Sequence, residues 1–171
     1  MNPALRKAML TAHVTYSVGW LGAVACFLAL SIAGLASADA QVVRGCYLAM
    51  AVLAWSLIVP ASAATLATGI IQAVGTPWGL VRHYWVFAKL FLTVLATAVL
   101  LIHTAPIGEL AQRAAAGTLL EAAARSSRVQ LVADAGGALL VLLLATVLSV
   151  YKPRGMTRYG WRRRATSTIE P

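Results

Sequence analysis

Apolar residues run along this chain in long blocks rather than in the periodic stripes of a soluble bundle. Four blocks, roughly 8–36, 45–74, 84–104 and 129–151, reach the ~20 residues that a helix needs to cross a bilayer. Polar breaks separate them: a short turn at Ser37–Gln41, the turn-rich GTPWGL at 75–80, and a segment at 107–128 rich in Ala, Leu, Glu and Arg. The pattern predicts an all-α fold, an integral membrane four-helix bundle over residues 1–155, with a basic tail at 156–171. The 107–128 segment has a helical composition and is expected to lie along the outer surface. Pro60 should kink the second helix, because it removes a backbone hydrogen bond.

Charge adds the orientation. The net charge of +9 among 171 residues, of which 60% are hydrophobic, is not spread evenly. Arg6, Lys7, Arg82 and the six basic residues from Lys152 to Arg164 fall on one side of the four blocks. Arg44, Arg113, Arg125 and Arg128 fall on the other. The positive-inside rule then puts both termini and the second loop in the cytoplasm of a bacterial cell, with the protein in the inner membrane. The basic tail is expected on an anionic leaflet rather than on nucleic acid. Trp78 of the second loop should sit at the interface.

The N-terminus has features of a signal peptide: Arg6-Lys7, an apolar run, then Ala36-Ser37-Ala38. Its apolar run is longer than a signal peptide's core and contains His13 and Trp20, so it reads as an uncleaved first span. Cys26 and Cys46 lie at different heights and have no metal-type spacing, which makes both packing residues.

The polar exceptions inside the spans carry what chemistry there is. Lys89 would cost about 2.5–3.5 kcal/mol in mid-membrane, so it must snorkel, pair or face inward. At about 100° per residue, Lys89, Thr93, Thr97 and His103 share one face of the third helix, with His83 off it. In the first helix His13, Tyr16, Ser17 and Trp20 stand at i, i+3, i+4 and i+7. Ser62, Thr65, Gly69 and Gln72 make a small polar stripe in the second, which suits helix packing or a ligand.

Heights counted along the helices give an inner cluster (His13, Tyr16, Lys89) and an outer one (His103, Asp134). Both have structural readings: interfacial histidines, a snorkelling lysine, an Asp134 paired with His103 or Arg128. The inner cluster also suits haem b. His13 would ligate the iron, Tyr16 and Trp20 would flank the porphyrin, and Lys89 would pair with a propionate. His83 or His103 are the candidates for a second ligand, although His103 lies near the opposite face. No metal cluster, nucleotide loop or nucleophile–base pair accompanies these residues, so catalysis is not indicated.

The stretches HVTYSVGWLGAV (13–24), GTPWGLVRHYWVFAKL (75–90), LLIHTAPI (100–107) and YKPRG (151–155) resemble an uncharacterised family of bacterial four-helix integral membrane proteins. That family brings a domain of unknown function and no activity. A more distant similarity is to the copper-resistance D-type domain and to membrane protoporphyrinogen oxidase, a haem-binding protein. It rests on the spacing of His13 to Trp20 and of Trp85 to Lys89, followed by a histidine on the same face. Here that histidine is His103, about one turn late. The resemblance implies haem at His13 and Lys89; porphyrinogen oxidation would need an acceptor that the sequence does not name.

Two other functions fit the pattern. A transport or ion-handling protein would use Lys89, His103 and Asp134 as a path across the bilayer, and with four spans would need a homodimer or larger complex. A non-catalytic interaction protein would use the tail or the 107–128 segment, and its polar residues would only specify packing.

Overall fold

The computed structural model describes residues 2–75, 80, 83–119, 122–151, 153, 155 and 157. Trp78, Arg82 and the tail from residue 158 onward lie outside them. Five α-helices follow one another: α1 (Pro3–Ala36), α2 (Ala40–Leu53), α3 (Val59–Gly75), α4 (Tyr84–Ala116) and α5 (Ala122–Tyr151). A π-helical turn, Ala54–Ile58, joins α2 to α3, so that these form one continuous rod. Four helical rods therefore result, each long and apolar enough to cross a membrane. Val18, Val52, Phe91, Ile102, Leu140 and Val150 are each more than half exposed, as an apolar surrounding allows. The chain has the build of a multi-pass membrane protein.

Local chemistry sets the ends of the rods. The Asn2 side chain accepts from the Ala4 N–H at 2.9 Å with Pro3 in the first helical position, which starts α1. The reversal after Ala36 is tight because Asp39 turns at once to cap α2, accepting from the Gln41 and Val42 N–H groups. Gly117, at φ 78°, ends α4 in the left-handed conformation that glycine adopts without strain.

One sequence expectation meets a different outcome. The 107–128 segment is not a separate surface helix: α4 runs unbroken through Pro106 to Ala116, and α5 begins at Ala122. Ile107, Leu110 and Ala114 continue an apolar stripe and are buried in the core, which outweighs the one hydrogen bond that Pro106 removes. At about 1.5 Å per residue, the 33 residues of α4 extend to roughly 50 Å, well past a ~30 Å hydrocarbon core. In the second rod the backbone adjustment comes just before Pro60. The Val59 N–H reaches back five residues to the Ala54 carbonyl, making the π turn.

Packing makes a ring in which α1 touches the α2–α3 rod and α5, and α4 touches the same two. Helices α1 and α4 thus stand across the ring from each other. The core runs down the centre through Trp20, Phe27, Tyr47, Met50, Ile58 and Leu110.

At the end of the ring away from Pro3 and Tyr151 a buried arginine ties the rods together. Arg128 at the start of α5 donates from Nε to the Tyr47 hydroxyl at 3.2 Å. Its Nη2 donates to the Gly34 carbonyl and its Nη1 to that of Leu119. The guanidinium carbon also lies 5.7 Å from the centre of the Tyr47 ring. Gly34 permits this, since a Cβ there would stand 2.8 Å from Tyr47 Cε2. Gly34→Ala should therefore destabilise the bundle by about 1–3 kcal/mol in detergent unfolding. Gly45→Ala, whose Cβ meets open space, should change it by no more than about 0.5 kcal/mol. Equal responses would contradict the Gly34–Tyr47 contact.

Candidate functional site

His13 is buried on α1 and faces the interior, where two other rods meet it. Its Nδ1 lies 3.0 Å from Thr68 Oγ1 on α3. The hydroxyl proton of Thr68 is already committed to the Ala64 carbonyl, 2.6 Å away. A hydroxyl with its proton so placed can only accept, so the imidazole must carry its proton on Nδ1. The Nε2 lone pair is then free, and it points at Lys89 Nζ of α4 at 3.3 Å. Lys89 reaches this position from the opposite side of the ring, and its ammonium donates to the imidazole.

His13 and Lys89 border a cavity of about 540 Å³ at the end of the bundle where α1 starts. Thr65, Gly69 and Gln72 of α3 line it, as do Trp85 and Thr93 of α4 and Arg6 and Lys7 of α1. Gly69 lets α3 come close to the imidazole: a Cβ there would stand 3.1 Å from His13 Cε1. Gln72 donates to the Met9 carbonyl at 2.8 Å, which fixes α3 against α1. Thr65 is buried, and its Oγ1 has no hydrogen-bond partner among the described residues. A buried hydroxyl at a cavity wall without a partner is the kind of group that a ligand satisfies. No carboxylate borders this cavity among the described residues, whereas three basic side chains do.

The expected inner cluster is thus changed in its aromatic members. Tyr16 is 44% exposed and lines no part of the cavity. It lies about 60° round the helix from His13, on the side away from the contact with the other rods. Trp20 is buried, but two turns further along, where it lines a different cleft. Among the described residues, Trp85 is the aromatic side chain at the cavity around His13.

His83 caps the start of α4 and does not line that cavity. His103 is also elsewhere: it shares the second cleft with Trp20 and Asp134. There His103 Nε2 stands 2.9 Å from Asp134 Oδ2, and Nδ1 lies 2.8 Å from the Val99 carbonyl. Arg128, one of the two partners considered for Asp134, is occupied by Tyr47 and the Gly34 and Leu119 carbonyls.

Thr68 and Arg128 were not evident as functional or organising residues in the sequence. Thr68 lies beside the stripe of Ser62, Thr65, Gly69 and Gln72, and its height matches that of His13. Among the described residues no three His, Cys, Asp or Glu side chains come together as a metal site. A ligand held here would have to make do with one imidazole. Compared with family models, curated proteins and solved structures, the chain matches none.

The arrangement predicts the tautomer of His13. In protein labelled with ¹⁵N-histidine, the neutral His13 ring should show its proton on Nδ1. Thr68→Val, which removes the acceptor, should release that preference and destabilise the bundle by about 1–3 kcal/mol. An Nε2-protonated ring in the unaltered protein would contradict the geometry.

Proposed function

We propose that this is a bacterial inner-membrane protein, with both termini cytoplasmic, that binds haem b in the cavity around His13. The observation that carries the reading is the presentation of His13. Its Nδ1–H is held by Thr68, as the second ring nitrogen of a metal-bound histidine is ordinarily held by an outer partner, and its Nε2 lone pair faces the cavity. The surroundings suit a flat, largely apolar dianion: Leu10, Val14, Leu66, Trp85 and Leu90 as walls, and Arg6, Lys7 and Lys89 as the cations. Lys89 occupies the position facing Nε2. It would have to leave when iron takes that place, and a propionate is the anion it would go to. When bound, haem would supply one-electron chemistry. The protein's own part is to orient the imidazole, cover the ring with apolar side chains and neutralise the propionates.

The spacings of His13 to Trp20 and of Trp85 to Lys89, which are distantly similar to those of a haem-binding membrane protein, support the same two residues. The orientation rests on the positive-inside rule. A continuous polar path for ions draws less support, because His13 and His103 border separate cavities. Between those levels stand Trp20, Val24, Ile58 and Ala96, and Thr93 and Thr97 bond carbonyls of their own helix.

The test is the visible spectrum of protein purified in mild detergent and supplied with haem. A Soret band should appear in the unaltered protein and be lost in His13→Ala. With one imidazole at the cavity, the bound iron should be high-spin. A chain that takes up no haem, or one whose spectrum is the same after His13→Ala, would sink the proposal.

A further inference from the structure

The second cleft, around His103 and Asp134, has a chemistry of its own. It encloses about 290 Å³, near the lower end of the ~300–1,000 Å³ range of small-molecule pockets. Its walls are apolar, with Trp20 and Phe27 as the aromatic surfaces; among the described residues His103 and Asp134 are the ionisable side chains on it, and the Gln130 amide reaches His103 Nε2 at 3.4 Å. Leu95, Val99 and Gly137 lie at its rim and are exposed on the apolar outside of the bundle. A ligand would therefore enter from lipid rather than from water.

The polar pair limits what that ligand can be. His103 Nδ1 lies 2.8 Å from the Val99 carbonyl, which only accepts, so this nitrogen carries a proton. Its Nε2 stands 2.9 Å from Asp134 Oδ2, too close for a lone pair to face a carboxylate. One of the two groups must therefore carry a proton at this contact, and with it the pair is neutral as a whole. Asp134 Oδ2 is buried, yet the ring is not aligned on it, so the oxygen carries no hydrogen bond. The pair offers a donor and an unsatisfied acceptor without net charge. An ion has no counter-charge here, and an acyl chain has no use for either group.

Two backbone features open the space. Gly137 lines the cleft, and a Cβ built on it meets nothing within 4 Å. Ile58, at the end of the π turn, lines the opposite wall, and single π turns inside helices frequently mark binding sites.

We propose that this cleft binds the ring of a lipid-soluble quinone. The ring would lie against Trp20 and Phe27, and a ring oxygen would meet the His103–Asp134 pair, accepting from it as the carbonyl of the quinone and donating to Asp134 Oδ2 as the hydroxyl of the quinol. The isoprenoid tail would leave past Leu95 and Val99 into the bilayer. This proposal does not rest on haem binding, which concerns the other cavity.

The test uses the whole chain in lipid nanodiscs, an azidoquinone photolabel, and decylubiquinone or decanol as competitor. The label should attach to peptides of α4 between 95 and 107 and of α5 between 131 and 141. Decylubiquinone should protect against it and decanol should not. Gly137→Leu, which fills the cleft, and Asp134→Asn, which replaces the carboxylate of the pair by a neutral amide of nearly the same size, should each cut labelling about tenfold. If Gly137→Leu does not elute as a single species, Asp134→Asn carries the test alone. Labelling elsewhere, no labelling, labelling unchanged in Asp134→Asn, or equal protection by decanol would overturn the proposal. Equal protection would make the cleft a groove for acyl chains.

Discussion

In a bundle surrounded by hydrocarbon, a polar side chain turned inward has no water to fall back on and must find its partner on another rod. The contact of His13 with Lys89 is this constraint in its sharpest form. It joins the two helices that stand across the ring, in a place where neither could be satisfied by its own backbone. Thr68 completes it from the third rod by holding the other nitrogen of the ring. Three rods are thereby fixed in height and rotation around one imidazole. At the far end Arg128 does the same for α1, α2 and α5, through Gly34 and Tyr47. Between these two ties the packing is apolar and non-directional, so the polar contacts set the register that dispersion alone would leave loose.

The same constraint separates the two cavities. The interior face of α1 begins with His13, passes Trp20, Val24 and Phe27, and ends at Ser31 and Gly34. Polar groups at either end and an apolar middle divide the bundle into two compartments with different character. The one near the chain start is basic and has a lone pair directed into it. The other is neutral, open to lipid and floored by the His103–Asp134 pair. A single small domain can in this way present two sites whose ligands would differ in charge.

Much of this architecture can be read from the residues, because a helix that must cross hydrocarbon leaves a coarse mark in the sequence. Four apolar blocks gave four rods, and residues counted along them brought His13 level with Lys89 and His103 level with Asp134. What escapes is rotation. Tyr16 and Ser17 flank the His13 direction at about −60° and +40°, and nothing in the sequence tells which flank meets a neighbour. Thr68 and Thr65 look alike on the page, yet only Thr68 meets the imidazole while Thr65 is left without a partner. Arg128 resembles an interfacial charge, and its burial depends on the absence of a Cβ at Gly34, 94 residues earlier. Pro106 is a sound reason to end a helix, and it is overridden because Ile107, Leu110 and Ala114 have a core to enter.

The central claim is that Lys89 faces His13 as part of a ligand site and not merely as a strut between α1 and α4. Lys89→Met tests it most directly, with haem affinity and thermal stability measured on the same preparation. The account predicts that His13 still ligates the iron, so the Soret band persists, while affinity falls about 10- to 100-fold through loss of a carboxylate partner worth ~1.5–3 kcal/mol. Stability without haem should be kept, since methionine fills the same space without a buried charge. An unchanged affinity together with a markedly less stable bundle would contradict it, and would make the lysine a structural tie alone.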